Sequence, residues 1–327
     1  MTDKATPLLI DVDTGIDDAF GLLYVCARPD ARLVGVSTVA GNVDLERATR
    51  NTRAVLALAG RADVPVWPGC AAPILHAPED ASIVHGVSGL GHAILPEPPR
   101  ADGGPHAIDQ IVAHAHALKG ELVLVATGPL TNIAAALMRE PALPRLIKRL
   151  VLMGGAFSQA GNVTPTAEFN IWHDPEAARI TFRAFGDDGA APLVAIGLDV
   201  TRQTQLVPAD LAALAERCAG LPGGPALTRF LDDSGRYYFD LMESWGRGRV
   251  FTMHDPLAIA AAIDPSLITT QRVAVDVETI GALTRGMTVA DWRDVLKQKA
   301  NTEVAVAVEA ERFIAEFLDA MERLARG

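Results

Sequence analysis

The chain has 327 residues, a formal net charge of −11 and three cysteines without a CxxC pair. An acidic surface repels phosphate backbones, which argues against nucleic acid as a partner. No apolar run reaches the ~20 residues of a membrane span, and the first residues show no signal-peptide pattern. Sparse, unpaired cysteines fit a reducing compartment. We therefore expect a cytoplasmic protein without a membrane partner.

Strand and helix signals alternate through the first half of the chain. Short apolar runs predict strands at Leu8–Val12, Arg32–Val39, Val64–Trp67, Glu121–Ala126, Arg149–Met153 and Pro192–Ile196. Helical spacing predicts helices at Asp17–Ala27, Leu45–Ala59, His106–Leu118, Leu130–Arg139 and Pro175–Phe185. Residues 61–105 are rich in Pro and Gly and are predicted to be mostly loop. The alternation indicates parallel βαβ units.

The second half is predicted to be more helical. Helices are expected at Asp210–Ala219, Pro225–Trp245, Asp255–Ala262 and Ala310–Ala325, and strands at Gln271–Val277 and Glu303–Val308. No linker separates the halves, so we predict one domain over residues 1–327. The predicted fold is α/β: an open, mostly parallel, Rossmann-like sheet flanked by helices on both faces, with a late helical insertion. Ligands of such sheets bind at the carboxyl ends of the strands.

Four carboxylates follow the first predicted strand, in the string DVDTGIDDA: Asp11, Asp13, Asp17 and Asp18. Placed together in a folded site they would repel one another, and a divalent cation is the simplest relief. Ligation by oxygen alone favours Ca²⁺ or Mg²⁺ over zinc. Helix capping could explain Asp17 and Asp18, but it does not explain two further acids that leave a buried strand.

The same cluster allows a second enzyme class. DxDxT after a first strand resembles the haloacid-dehalogenase phosphatases, in which the first Asp is a nucleophile. That Mg²⁺-dependent phosphohydrolase would also need a Ser or Thr after a second strand, a downstream Lys and a late acidic pair. Gly186-Asp187-Asp188 is a poor candidate for the pair.

Polar residues follow the other predicted strands as well. Gly41-Asn42 follows the second strand, and ATGPLTNIA continues the strand at Glu121–Ala126. The strand at Arg149–Met153 enters MGGAF, followed by AEFNIWHDPEAA, and MHDPLA comes late in the chain. In the last motif Asp255 is predicted to cap a helix that Pro256 begins.

Together with VHGVSGLG, these motifs occur in the order of one family, over essentially the whole chain. The sequence resembles the inosine–uridine-preferring nucleoside hydrolases. The resemblance implies hydrolysis of the N-glycosidic bond of ribonucleosides, a small-molecule substrate, and assembly as a homodimer or homotetramer. One position departs from the family pattern, because Arg202 follows LDVT where the family often has His.

The resemblance also implies roles for individual residues. It implies a Ca²⁺ ion held by Asp13, Asp18, the backbone carbonyl of Thr127 and Asp255. It implies Asp13 as the base that activates the attacking water and His254 as the acid for the leaving base. The implied sugar and base contacts are Asp17, Asn42, Asn170 and Asp255 at the ribose hydroxyls, Asn162 and Glu168 at the 5′-hydroxyl, Met153 beneath the sugar, and His85 beside the base.

This chemistry suits these residue types. Breaking a ribosyl C–N bond develops positive charge on the sugar, which an anionic site stabilises. A bound cation acidifies water, and a carboxylate can take its proton. Histidine, with an ordinary pKa near ~6.5, is a plausible donor to the leaving base. Tyr237 and Tyr238 either reach the base or pack in the core.

Two alternatives stay open beside the hydrolase: the phosphohydrolase, and a protein on the same fold that binds nucleosides without cleaving them. The sequence does not fix the preference for purine or pyrimidine bases, although an acid that serves both favours a broad or pyrimidine-leaning enzyme.

Overall fold

The computed structural model describes residues 5–98, 104–186 and 188–327. The described strands are β1 (Thr6–Val12), β2 (Ala31–Thr38), β3 (Val66–Pro68), β4 (Val123–Ala126), β5 (Arg149–Met153), β6 (Leu193–Ile196), β7 (Gln205–Leu206), β8 (Phe251–Thr252), β9 (Ile268–Val273), β10 (Val275–Val277), β11 (Thr288–Ala290) and β12 (Thr302–Val308). Most of the longer ones are buried apolar runs, which is typical of strands covered on both faces.

The described helices connect and cover these strands. They are α1 (Ile16–Cys26), α2 (Leu45–Leu58), α3 (Ser82–His85), α4 (Ala107–Ala117), α5 (Thr131–Arg139), α6 (Leu143–Leu146), α7 (Phe169–His173), α8 (Pro175–Ala184), α9 (Leu198–Thr201), α10 (Pro208–Cys218), α11 (Gly224–Ser244), α12 (His254–Ile263) and α13 (Ala310–Arg326), with a 3₁₀ turn at Pro265–Leu267. Within the described ranges, no helix combines the length and apolar character that a bilayer crossing requires.

The main sheet has eight strands in the order β3-β2-β1-β4-β5-β6-β12-β9. All neighbours pair in parallel except β9, which runs antiparallel to β12. The strand order reverses between β1 and β4, and such a switch point opens a crevice at the carboxyl ends of the two strands. The residues that follow β1 and β4 therefore face each other across the crevice.

Side chains of β1 alternate between two apolar cores, one on each face of the sheet. Leu8, Ile10 and Val12 pack with α1 and with the late helices α11, α12 and α13. Leu9 packs on the other face, where α4, α5 and α8 cover the sheet. This alternation confirms the predicted α/β fold with helices on both faces.

Two local predictions were wrong. The predicted strand Gln271–Val277 is two strands, because β9 pairs with β12 while β10 turns away to pair with β11. Asp255 does not cap α12: the helix begins at His254, and Asp255 lies in its first turn facing other carboxylates. The segment 61–105 is mostly loop in its described part, as predicted, with the strand β3 and the unpredicted short helix α3, and its residues 99–103 lie outside the described part. The short elements α6, α7, α9, β7, β8 and β11 were not predicted.

Candidate active site

The turn from β1 into α1 brings three carboxylates to the crevice. Gly15 precedes the helix, and its N–H donates to Asp18 Oδ2 over 2.9 Å, so Asp18 does cap α1. Asp18 also accepts from Asn42 Nδ2 at 3.1 Å and from the Thr127 hydroxyl at 2.8 Å. Its carboxylate thus links the chain after β1 to the ends of β2 and β4. A residue that only capped α1 would not need the bonds to Asn42 and Thr127.

Asp13 is held by the loop after β2. Its Oδ2 accepts the Asn42 N–H at 2.7 Å, and its Oδ1 accepts the Asn42 amide at 3.1 Å. Backbone closes in on this carboxylate from two sides. A Cβ at Gly41 would stand 2.1 Å from Asp13 Oδ2, and one at Gly128 would stand 3.1 Å from Asp13 Cγ. Only glycine permits the approach at position 41.

The first turn of α12 adds a further carboxylate from the opposite side. Asp17, Asp18 and Asp255 each offer a carboxylate oxygen, and these oxygens all lie within 4.8 Å of one another. The three carboxylates with a spacing that suits a cation are therefore Asp17, Asp18 and Asp255. The family resemblance instead implies Asp13 as the third carboxylate ligand. Asp13 lies beside these three and interacts electrostatically with both Asp17 and Asp18.

These four carboxyl groups are almost fully shielded from solvent, and burial is the main cause of their altered acidity. It raises the pKa of Asp17 to about 7, with repulsion from Asp18 adding to the effect. The pKa values of Asp13 and Asp255 are raised well above the ordinary value by burial and by the neighbouring carboxylates, and that of Asp18 is raised by burial. A cation would relieve this repulsion and favour the ionised forms.

The donor set fits a hard divalent cation. All side-chain donors are oxygens, and Asp17 Oδ1 is buried without a hydrogen-bond partner in the described structure. His85 Nδ1 lies 3.9 Å from that oxygen. It accepts the Ile16 N–H at 3.1 Å, and burial lowers the His85 pKa to about 4, so the ring is neutral and forms no ion pair. Carboxylate and carbonyl oxygens are the ligands of Ca²⁺ and Mg²⁺.

The wall opposite the carboxylates is built from β4, β5 and α7. Asn170 in α7 donates through its amide to the Thr127 carbonyl at 2.7 Å and to the Met153 carbonyl at 3.1 Å. Both bonds use Nδ2, so the Asn170 Oδ1 can accept from a ligand hydroxyl. The Thr127 carbonyl retains a second lone pair. Asn170, Thr127 and Met153 are buried together.

The two residues implied at a 5′-hydroxyl are occupied in different ways. The Glu168 carboxylate caps α7 and accepts the N–H groups of Gly155, Asn170 and Ile171. Asn162 is exposed, and its Oδ1 accepts the Phe169 N–H at 2.9 Å. The bonds to Glu168, with a further contribution from the Phe169 N–H, use most of the roughly four acceptor positions of the Glu168 carboxylate.

His254 stands beside the carboxylates at the start of α12, and the Thr201 hydroxyl lies 2.7 Å from its Nδ1. Burial, together with the nearby Arg202 and His85, lowers the pKa of His254 to about 3. This combined pKa of about 3 differs from the ordinary value near ~6.5 expected from the sequence. At neutral pH the ring is neutral, and if the Thr201 hydroxyl donates to Nδ1, the ring proton lies on Nε2.

Arg202 lies close enough to the His254 ring to lower its pKa. Its guanidinium donates to the Gly161 carbonyl at 2.9 Å and so ties the loop before α7 to the end of α9. It acts on His254 electrostatically and holds the segment next to Asn162. The departure from the family pattern therefore lies closer to the site than the sequence indicated.

The two tyrosines of α11 differ in their surroundings. Tyr237 donates its hydroxyl to the Ile83 carbonyl at 3.0 Å and meets His92 edge to face, so it holds the loop that carries His85. Tyr238 is buried, packs edge to face on Phe251 and interacts electrostatically with Asp17 and Asp255. Of the two, Tyr238 lies nearer the carboxylates.

Sequence reasoning missed part of the site's support. Two of the missed residues, Asn132 and Ser37, donate hydrogen bonds to Asp11. The third, Thr201, hydrogen-bonds to His254. Ser37 and Asn132 lie near the ends of β2 and β4, so the rule that ligands bind at strand ends could have found them. Thr201 carries no comparable signal.

The structure gives no support to Asp187 and Asp188 as the late acidic pair that a phosphohydrolase would need. Asp187 lies outside the described residues, and Asp188 is exposed and pairs with Lys299. Asp188 also precedes β6, so it lies at the amino end of that strand, away from the crevice.

Comparison with known proteins identifies the family of this chain. The family model described as inosine-uridine preferring nucleoside hydrolase matches residues 8–315. The chain is 37% identical to the inosine-uridine preferring nucleoside hydrolase of Leishmania major over 97% of this chain and 98% of that one. It is 38% identical to the pyrimidine-specific ribonucleoside hydrolase RihA of Klebsiella pneumoniae over 95% of this chain and 96% of that one.

Comparison with solved structures indicates the same family. The purine-preferring ribonucleoside hydrolase from Gardnerella vaginalis matches with a TM-score of 0.90 and 35% identity, over 98% of this chain and 99% of that one. The fold is an open α/β sheet whose switch point holds buried carboxylates at a spacing that could hold a metal ion. The chain belongs to the inosine-uridine preferring nucleoside hydrolase family, and it hydrolyses the N-glycosidic bond of ribonucleosides.

Proposed function

We propose that this enzyme uses a Ca²⁺ ion held by Asp13, Asp18, the Thr127 carbonyl and Asp255, with Asp13 as the base and His254 as the donor to the leaving base. The observation that carries the proposal is the set of buried carboxylates at the β1–β4 switch point, without a Lys or Arg paired to them in the described structure. When bound, a divalent cation supplies charge compensation and acidifies the attacking water.

Asp13 is the proposed base because its orientation is fixed. Asn42 bonds both oxygens of the Asp13 carboxylate, and backbone packs against it at Gly41 and Gly128. A base held in this way takes a proton from water without first having to order itself. The proximity of Asp17 and Asp18 also favours the positive charge that develops on the ribosyl group.

The ribose is proposed to lie between the carboxylates and α7. Asp17, Asn42, Asn170 and Asp255 would bond its 2′ and 3′ hydroxyls, since Asp17 Oδ1 and Asn170 Oδ1 are both available. Met153 supports the sugar from below. Glu168 and Asn162 lie along the same loop and would receive the 5′-hydroxyl.

The leaving base is proposed to lie against His254 and His85. Both rings are neutral at pH 7, so each acts as a hydrogen-bond donor rather than as a charged acid. His85 Nδ1 is occupied by the Ile16 N–H, which leaves Nε2 to carry the proton. A donor that serves purines and pyrimidines alike suits an enzyme of broad or pyrimidine-leaning preference. The relatives' own names span both kinds.

Three broader features belong to the same proposal. Residues 1–327 form one domain, supported by a main sheet that takes strands from Thr6 to Val308. The enzyme is cytoplasmic, supported by its unpaired cysteines. It assembles as a homodimer or homotetramer, supported by the family resemblance. Light scattering on the purified protein measures the assembly directly.

Steady-state release of ribose from inosine, uridine, cytidine and adenosine tests the proposed function, with nitrophenyl phosphate as the control substrate. We expect ribose release from at least one nucleoside and no phosphate release. Binding of nucleosides without ribose release would indicate a binding protein. Turnover of nitrophenyl phosphate alone would indicate a phosphohydrolase.

A further inference from the structure

Asp11 is the one acid of the DVDTGIDDA motif that the proposed mechanism leaves without a role. It is the penultimate residue of β1, two positions before Asp13, and its side chain is fully buried. Like Leu9 it faces the side of the sheet that α5 covers. A carboxyl group in such a place is costly to bury unless its hydrogen bonds compensate.

Asp11 holds both ends of one turn. Its backbone carbonyl accepts the Thr127 N–H at 2.8 Å, where the turn leaves β4. Its carboxylate Oδ1 accepts the Asn132 amide at 2.8 Å, where the same turn enters α5. We name residues 127–132 the 127–132 turn. A single residue of β1 therefore fixes the turn at its beginning and at its end.

The 127–132 turn is in direct contact with the cation site. A Cβ at Gly128 would lie 3.1 Å from both Cβ and Cγ of Asp13. The Thr127 hydroxyl donates to Asp18 at 2.8 Å, and the Thr127 carbonyl is one of the proposed ligands. A shift of the turn by a few tenths of an ångström would therefore change the distance from Thr127 to Asp13 and Asp18.

Asn132 transmits the constraint because it has little freedom of its own. Its amide also donates to the Thr38 carbonyl at 2.9 Å, and its Oδ1 accepts the Cys70 N–H at 2.8 Å. Asn132 thus joins α5 to the chain that follows β2 and β3. Ser37 is the other donor to Asp11, but it makes no bond to the turn.

We propose that Asp11 is a positioning residue that, through Asn132 and Thr127, sets the distance between the oxygen donors at the ends of β1 and β4. The role rests on the cation site of the proposed function. Asp11 itself touches neither substrate nor cation. Residues that orient metal ligands in this way typically account for about 10-fold to 100-fold in metal affinity or activity.

Three variants separate this role from simple structural support. Asp11→Asn keeps a carbonyl oxygen that can accept from both Asn132 and Ser37, and its amide replaces an Oδ2 that has no partner in the described structure. Asp11→Leu removes the acceptor at similar volume. Ser37→Ala removes the other bond to Asp11 and leaves the turn untouched, so it is the matched control.

Calcium affinity of the metal-depleted proteins is measured by calorimetry, with the Tm of each metal-free variant and kcat and KM on uridine. We expect Asp11→Leu to lower calcium affinity by about 10-fold to 100-fold. We expect Asp11→Asn and Ser37→Ala to stay within about threefold of the parent, since their ligand geometry is kept. Asn132→Ala should reproduce the loss, and it replaces Asp11→Leu if that variant does not fold.

Two results would overturn the proposal that Asp11 positions the cation ligands. Native calcium affinity in folded Asp11→Leu or Asn132→Ala, with only a lower Tm, would show a purely structural residue and overturn the proposal. An equal loss in Asp11→Asn would overturn it too, because the charge would then matter rather than the hydrogen bonds. Neither result bears on whether the parent protein releases ribose, so the failure of this inference is distinct from failure of the proposed function.

Discussion

The two sides of the site are built differently. The proposed sugar side consists of strand ends and first helical turns. Its acids are buried, and residues from neighbouring strand ends hydrogen-bond to them, as Asn42 does to Asp13 and Thr127 to Asp18. The proposed base side includes residues 82–95, which carry His85. There Ile83, Val87 and Ile94 expose 71%, 78% and 93% of their surface. The groups proposed to do the chemistry are held by strand ends and helix starts, and the proposed base would be surrounded by exposed loops.

The difference has a physical reason. Repelling carboxylates keep a fixed geometry only where many backbone bonds oppose their separation, as at the ends of parallel strands. Contacts to the base need no such restraint, and loops can vary without disturbing the sheet. Relatives with purine and with pyrimidine preference are compatible with this division. Changes on the sugar side should therefore affect all nucleosides, and changes on the base side should affect some more than others.

The largest effect is expected at Asp13. Asp13→Asn removes the proposed base and a charged ligand, so kcat should fall by about 10⁴-fold, the upper end for a lost general base. The loss should be equal for inosine and uridine, because the sugar side is common to both. Ribose release and calcium titration measure the two functions. Near-normal turnover with normal calcium binding would show that Asp13 has neither role.

Removal of a sugar hydroxyl should cost somewhat less. Asp17, Asn170 and Asp255 are proposed to bond the 2′ and 3′ hydroxyls, and a site built for a hydroxyl rejects an analogue that lacks it. We expect kcat/KM for 2′-deoxyuridine to be up to about 10⁴-fold below that for uridine. Comparable values for the two substrates would be incompatible with the proposed ribose contacts.

His254 should distinguish the base side from the sugar side. His254→Ala should lower kcat on natural nucleosides by about 10²-fold, the lower range for proton donation, because the ring acts in its neutral form. Turnover of nitrophenyl riboside should hardly change, since that group leaves without a proton. Calcium affinity is the control for damage to Asp255. Equal losses on both substrates with intact calcium binding would contradict the donor role.

The smallest effect concerns pH and stability. The pKa of Asp17 is raised from 3.8 to about 7 in the metal-free fold, so its contribution to stability is present below the unfolded pKa and is lost as pH rises through about 7. A calcium ion beside Asp17 favours the ionised carboxylate, so the stabilisation by calcium grows over the same window. At one fixed calcium concentration, a hundredfold above the Kd at pH 8, the Tm gain should be about 5 °C larger at pH 8 than at pH 5. A gain that is constant across this range would contradict the assignment of ionisable ligands.

Much of the sugar side could be predicted from the sequence because its signals are local. DVDTGIDDA places its acids at the end of an apolar strand, and the alternation of strands and helices places that end at the edge of a parallel sheet. Asn42 and Thr127 follow from the same rule. The roles given to these residues stay predictions, although the structure brings them together.

The rest depends on contacts between distant parts of the chain. The low pKa of His254 arises from its burial beside Arg202 and His85, more than 50 and more than 160 residues away in sequence. The inclusion of Asp17 in the three-carboxylate group depends on where α12 meets α1. The link from Asp11 to Asn132 spans 121 positions. Nothing in the local pattern around any of these residues gives such distances.

Metal depletion tests the central claim most directly: that buried carboxylates at the β1–β4 switch point work through a divalent cation. The protein is stripped with chelator and dialysed, and ribose release from uridine is measured before and after calcium is restored. We predict a fall of at least about 10²-fold and full recovery with calcium, since the attacking water otherwise keeps its ordinary acidity. Undiminished ribose release by the metal-free protein would contradict the account.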